Sequence, residues 1–377
     1  MSINRATFRK RSNYLLARVS EAARAVVRPV FSPTRKQTAP GEWRRGLLIG
    51  ADHIGDVLYN TASLPHLARG LPDCKWSYLA DPPAAELLRT NPFIDELIVR
   101  APGLLDEIRR RKFDVAICYN SGQYWRDLIF AWRAGIPNRV GYVHKGFSGL
   151  ITFPITIDYP QPYAVYFRSL VSQLTGGNAA WELRPKVYAT EDDCAAAEQL
   201  WRELKLQDRA RVLACFVTSR QPTGIWPLEY FAETLSTLAD KYNVTPVLCG
   251  SAGDRSVLSE LLHQCRRDWR IVAGSLSLNA VSVFLSKCSV VLCPDTGPRH
   301  LANAGKVPVF FFRNLRSSKV ESGAYCSSEI DLAPDVEFIA PAAQARYLRS
   351  IPPSEVVKRL ASLFAPGRCA STEHHHA

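Results

Sequence analysis

The feature that most constrains this chain is a rhythm of short apolar runs alternating with longer amphipathic stretches, and the rhythm occurs twice. In the first block Leu47 to Ala51, Trp76 to Ala80 and Phe113 to Cys118 read as strands, with helical patterns over Asp56 to Arg69 and Ala84 to Thr90 between them. Residues 144 to 190 break the rhythm with Gly, Pro and aromatic residues around Gly176 and Gly177, and are expected to contain a linker. In the second block Val212 to Val217, Val244 to Cys249, Arg270 to Ala273, Ser289 to Cys293 and Val307 to Phe312 read as strands, with helices beginning near Pro227, Asp254, Leu278 and Gly297. Such alternation implies parallel βαβ units, so the expectation is an α/β protein of two Rossmann-like, doubly wound domains facing each other across a cleft. The predicted division is a basic arm over 1–44, a first domain over 45–180, a second over 181–350, and a helix and tail over 351–377. The helical stretch Pro353 to Phe364 is expected to dock back on the first domain.

Composition narrows the function classes. With 377 residues and 47% hydrophobic content the chain can bury a large core. No apolar run approaches the roughly 20 residues that span a bilayer, and the N-terminus lacks a signal core with a small-residue cleavage site, so the expectation is a soluble, cytoplasmic chain. The ten cysteines stand singly, without metal-ligand spacing, and several sit inside predicted strands, where a reduced thiol packs as a small hydrophobe. The net charge of +12 is concentrated in residues 1–45, where eleven Lys or Arg face only Glu21 and Glu42. A nearly neutral body argues against nucleic acid as a partner. Within the arm Leu15, Leu16, Val19, Ala22, Ala23, Val26, Val27 and Val30 recur at helical spacing among arginines, a pattern that suits an anionic membrane surface and that a disordered leader or a transit peptide also shows.

Chemistry is expected where strands end. Ser289 to Cys293 runs into Pro294-Asp295-Thr296-Gly297-Pro298-Arg299-His300-Leu301, which puts a helix start beside Thr296 and Gly297. Free amides and the positive end of the helix dipole favour a phosphate there, Gly297 admits close approach to the backbone, Thr296 offers a hydroxyl, and Arg299 or His300 offers a cationic donor. The plainer alternative is an Asp N-cap. In the first block Gly50-Ala51-Asp52-His53-Ile54-Gly55-Asp56 fits neither a dinucleotide fingerprint nor a P-loop, and it sets Asp56 at a helix start with its carboxylate toward the cleft, or as a cap.

Five separated motifs carry a family resemblance: Gly55-Asp56-Val57-Leu58, Leu71-Pro72-Asp73, Asn91-Pro92-Phe93-Ile94-Asp95, Trp226-Pro227-Leu228-Glu229-Tyr230-Phe231 and Asp295-Thr296-Gly297-Pro298-Arg299-His300-Leu301-Ala302. In that order, from about Gly46 to Ala365, the chain resembles glycosyltransferase family 9, which includes the ADP-heptose heptosyltransferases of the lipopolysaccharide inner core. The resemblance implies a GT-B architecture and inverting, metal-independent transfer from a nucleotide sugar to an envelope glycan or lipid-linked acceptor, at the cytoplasmic face of the inner membrane. It implies Asp56 as general base and Asp295, Thr296, Gly297 and His300 as the motif meeting the nucleotide diphosphate.

Two departures stand out. Gly224 and Gly50 occupy positions where the family commonly carries basic residues, so either Arg220 or Arg299 neutralises the donor in their place or the donor differs. Trp226 reads equally as a donor contact and as packing ahead of Pro227. On the acceptor side Asn120, Arg126, Arg133 and His53 are candidates, with a solvated helix face the alternative for the arginines. No metal ligand is assigned. A different sugar-nucleotide enzyme of this fold, such as an epimerase, and a non-catalytic nucleotide-sugar or membrane binder are the competing functional readings.

Overall fold

The computed structural model describes residues 35–50, 53–119, 124–177 and 181–364. The first half folds as β1 (Arg45–Ile49), α1 (Ile54–Thr61), α2 (Leu64–Gly70), β2 (Lys75–Ala80), α3 (Pro82–Leu88), β3 (Glu96–Val99), α4 (Leu104–Arg111), β4 (Val115–Cys118), α5 (Tyr124–Arg133), β5 (Asn138–Tyr142), β6 (Phe153–Ile155) and α6 (Tyr163–Thr175). The second half adds α7 (Glu191–Glu203), β7 (Val212–Phe216), α8 (Leu228–Tyr242), β8 (Thr245–Gly250), α9 (Arg255–Cys265), β9 (Arg270–Ala273), α10 (Leu278–Ser286), β10 (Val290–Pro294), α11 (Gly297–Ala304), β11 (Val309–Phe312), α12 (Lys319–Ser322), β12 (Glu329–Asp331), α13 (Pro341–Arg349) and α14 (Pro353–Ala361).

Both sheets are fully parallel and six-stranded, ordered β3-β2-β1-β4-β5-β6 and β12-β11-β10-β7-β8-β9. Numbered from its own first strand, the second sheet repeats the order of the first, so the expected pair of doubly wound sheets is present. In each, the chain reverses direction beside its first strand, between β1 and β4 and between β7 and β10. Ligands of such sheets bind outside the carboxyl ends at that switch. The loops after β1, β7 and β10 are therefore the ones to inspect.

Helices cover both faces of each sheet, and the central strands are completely buried: Leu47, Leu48, Ile49, Val115, Ala116 and Ile117 in the first, Leu213, Ala214, Cys215, Val290, Val291 and Leu292 in the second. Burial raises the thiols of Cys118, Cys215 and Cys288 well above their ordinary value, which keeps them protonated packing groups.

Two expectations need correction and one needs filling in. The helix read as Asp56 to Arg69 is two helices. Pro65 has no N–H to continue the ladder, and the Ser63 hydroxyl donates to the Asn60 carbonyl at 2.7 Å where α1 ends. The irregular middle holds more structure than its pattern shows, because β6 completes the first sheet and α6 packs on α1 before ending at Gly176, whose φ of 67° is the left-handed cap that glycine adopts without strain. Helix α14 does not dock on the first domain; Val356, Val357 and Leu360 join Phe231, Leu235 and Leu238 of α8 in the core of the second.

The basic arm's membrane reading falls on residues 1–34, outside the described residues. Its last part belongs to the body. Trp43 is buried, and the Arg35 guanidinium donates to the Phe113 carbonyl at 2.9 Å and to Asp114 at 3.2 Å. No described helix is long and apolar enough to cross a membrane.

Candidate functional site

Helices α1 and α11 start at the carboxyl ends of β1 and β10 and meet across the cleft. A Cβ on Gly55 would lie 3.0 Å from the His300 ring, and one on Gly297 would lie 3.2 Å from Ile54 Cγ2. These two glycines, one from each domain, let the helix starts approach to contact. Tyr59 strengthens the seam, its ring 4.5 Å from His300 and 4.8 Å from Tyr325, while the Tyr166 hydroxyl donates to Glu321 at 3.1 Å.

Asp56 lies in the first turn of α1 and is partly exposed. The cap position itself is His53, so the plain capping reading of Asp56 does not hold. The Tyr59, Tyr78 and Tyr163 phenols are raised by burial first and, among smaller effects, by the Asp56 charge, which places that carboxylate within electrostatic reach of all three.

At the facing start Thr296 is the cap residue, but its hydroxyl donates back to the Pro294 carbonyl at 3.4 Å and caps nothing. Pro298 has no N–H, and the Arg299 amide bonds Thr296. Among the described residues the amides of Thr296 and Gly297 have no hydrogen-bond partner, and both residues are partly exposed. Asp295 is not the cap. Its Oδ1 takes Arg299 Nη1 at 2.8 Å, and its Oδ2 accepts the Asn314 amide at 3.3 Å.

Arg299 is corrected from donor contact to interior strut. It is fully buried, donating to Glu329 at 2.5 Å, to Asp295, and to the Ser322 and Gly323 carbonyls at 2.8 and 2.5 Å, with its guanidinium carbon 3.7 Å from the centre of the Phe311 ring. Every face of the group is occupied by protein, so nothing is left for a phosphate. Trp226 is likewise packing, with no exposed surface, its indole N–H on the Ile351 carbonyl at 3.1 Å and its ring stacked on Phe312. His300 is buried and 2.8 Å from the Tyr325 hydroxyl; burial first and the neighbouring Arg299 second push its pKa well below the ordinary histidine value, so it is neutral and not a cationic donor.

Arg220 does reach the cleft. From the loop after β7 its two terminal nitrogens lie 2.9 and 2.6 Å from the His53 ring nitrogens, an exposed bridge between the domains. The two glycines at positions of expected cations have physical occupants. A Cβ on Gly50 would fall 2.3 Å from Tyr78, and one on Gly224 would lie 3.2 Å from Gln344 Nε2.

Of the acceptor-side candidates, Asn120 lies outside the described residues. Arg126 and Arg133 are on α5, where with Asp81, Arg100, Trp125 and Phe130 they line a groove of about 490 Å³ that includes neither Asp56 nor any residue of the second domain. His53 is the one that borders the cleft. Among the described residues no three His, Cys, Asp or Glu side chains converge as metal ligands. Tyr325 and Glu329, which hold His300 and Arg299, are not legible in the sequence, since nothing in their local pattern marks them.

A family model described as "Glycosyltransferase family 9 (heptosyltransferase)" matches residues 103–311, more than half of the chain. The chain belongs to glycosyltransferase family 9. It is 23% identical to lipopolysaccharide heptosyltransferase 2 of Escherichia coli over 294 residues, 70% of this chain and 80% of that protein. A stretch of 86 residues is 29% identical to the lipopolysaccharide core heptosyltransferase OpsX of Haemophilus influenzae, spanning 22% of this chain and about a quarter (24%) of that relative. The crystal structure of a family 9 glycosyl transferase from Veillonella parvula superposes with a TM-score of 0.75 at 21% identity, covering 88% of this chain and 99% of that one. The fold is thus that of the family.

Proposed function

We propose that this chain transfers a sugar, heptose being the leading reading, from a nucleotide-diphosphate donor to a lipopolysaccharide-type or other envelope acceptor, with inversion and without a divalent cation. The observation that carries the reading is the meeting of α1 and α11, which sets a partly exposed carboxylate of one domain opposite unpartnered backbone amides of the other. Asp56 takes the proton from the attacking acceptor hydroxyl. That oxygen bonds the anomeric carbon as the bond to the diphosphate oxygen breaks, and the Thr296 and Gly297 amides with the α11 dipole stabilise the departing negative charge. Both named relatives are lipopolysaccharide heptosyltransferases, which supports the choice of sugar and acceptor class.

The test is transfer of radiolabel from ADP-, UDP- and GDP-sugars to cell-envelope extract in excess EDTA. Labelled extract supports the reading; activity that needs added magnesium or manganese overturns its metal-free part. The closed positions at Gly50 and Gly224 favour one second reading, a member that binds nucleotide sugar without transferring it, and binding with no labelled product selects that one. The membrane part is tested separately: a chain lacking residues 1–34 should lose salt-sensitive sedimentation with anionic vesicles, and undiminished sedimentation rules the arm out. The cut spares Arg35 and Trp43, which are packed on the body.

A further inference from the structure

Three loops line the carboxyl edge of the second sheet at its switch point. Because β10 lies between β11 and β7, the loop opening α11 is flanked by residues 313–318 on one side and 217–224 on the other. Arg316 belongs to the first flank, yet its Nη1 donates to Gln221 Oε1 on the second at 2.9 Å. The bond thus ties together the two loops on either side of β10, whose own following amides, Thr296 and Gly297, have no partner among the described residues.

The rest of Arg316 is anchored for that reach. Its backbone amide donates to Asn314 Oδ1 at 3.1 Å, and the Asn314 amide is held by Asp295, the residue before Thr296. Among the described residues Arg316 has no carboxylate partner, unlike Arg299 and Arg313, which spend their charge on Asp295, Glu329 and Asp331. Beside it the fully buried Gln344 donates to Asn314 and leaves its Oε1 without a donor in the described residues. A partly exposed guanidinium held by one neutral amide, on a loop anchored to the residue before a helix start, is built to meet an anion.

We propose that Arg316 is the cation that binds the donor diphosphate in this chain, taking the role the sequence left to Arg220 or Arg299. The inference rests on the donor reading above. Gln221 holds the guanidinium in readiness, and the fork geometry lets one N–H stay on Gln221 while others meet phosphate oxygens.

The experiment is calorimetric titration of the full chain with ADP, UDP and GDP, followed by variants against whichever binds tightest. Arg316→Ala should weaken binding by about tenfold or more, the scale of a lost charged hydrogen bond, and Arg316→Lys should recover part of it. Gln221→Leu breaks the same inter-loop bond but keeps the cation, so it should stay within about threefold of wild type. Wild-type affinity in Arg316→Ala, with its melting temperature unchanged, overturns the assignment. So does a loss in Gln221→Leu equal to that in Arg316→Ala, which makes the bond a structural strap. If the wild-type chain binds none of the three nucleotides at millimolar concentration, the donor reading itself fails and takes Arg316 with it.

Discussion

After β1 and after β10 the chain does the same thing, turning from a buried parallel strand into a helix with an acid and a glycine at the corner, yet the two corners present different groups to the cleft. In α1 the acid, Asp56, sits inside the first turn and is partly exposed. In α11 the acid, Asp295, precedes the cap and is tied into the interior by Arg299, which it shares with Glu329. One corner therefore offers a carboxylate and the other offers unopposed amides. The acid's position relative to the cap and the company it keeps decide the function, more than its presence.

The sharpest break of that comparison is Asp56→Asn, which keeps shape and removes charge. If the α1 corner supplies the base, kcat should fall about 10²- to 10⁴-fold with nucleotide binding nearly unchanged. Wild-type turnover in the folded variant would eliminate Asp56. Next in size is Arg299→Met in the other corner. Removing the buried guanidinium strands Glu329 and Asp295, a loss of about 3–5 kcal/mol in stability, read as a lower urea midpoint. Arg299→Lys should not recover it, because one ammonium cannot serve acceptors disposed around a planar fork. A fully stable Arg299→Met with a raised donor KM would return Arg299 to the binding site and erase the contrast.

That Arg299 could not be read correctly from the sequence has a physical reason. Its main partner, Glu329, is thirty residues away on β12, a short strand whose acid disguises it as loop. Strand β5 hides in the same way, because Arg139 is completely buried within it, its guanidinium satisfied by the Leu150 and Ile136 carbonyls. By contrast β4, β7 and β10 are uniformly apolar and β1 is so from Leu47 onward, so their runs are visible, and with them the two corners. Motif resemblance pointed to Asp56 and Thr296, whereas the Arg316–Gln221 bond joins loops ninety-five residues apart, which no local pattern encodes.

A smaller effect sharpens the α11 side. Thr296→Val removes a hydroxyl donor, and binding of the nucleoside diphosphate should weaken about three- to tenfold, the worth of one hydrogen bond. Gly297→Ala should act similarly for a different reason, since its Cβ would press on Ile54 and hold the corners apart. Both should leave kcat less affected than KM. If kcat falls and KM does not, the Thr296 hydroxyl and the close approach at Gly297 count only in the transition state and the two corners divide the work differently.

The smallest expected effect concerns His300, and its smallness is the prediction. A histidine acting as the phosphate cation would make donor binding weaken as pH rises through about 6.5. Here the folded pKa is well below that, through burial and Arg299, so the ring is neutral and binding should be insensitive to its titration between pH 6 and 8. The ligand should be an ADP-sugar, whose diphosphate carries no terminal group titrating in that range, and the His300→Gln variant should trace the same pH curve as wild type, displaced slightly at most. Stability behaves differently. Below about pH 6.5 the unfolded chain takes up a proton on this histidine that the folded chain refuses, so stability falls as pH drops, and the His300→Gln slope should be shallower by up to one proton. His144, driven down to about 4 by burial and Lys145, adds a slope of the same sign that the variant leaves in place. A wild-type binding curve that declines with rising pH while His300→Gln stays flat would make His300 the cation, and the α11 corner would then hold its anion by a titrating charge instead of by fixed amides.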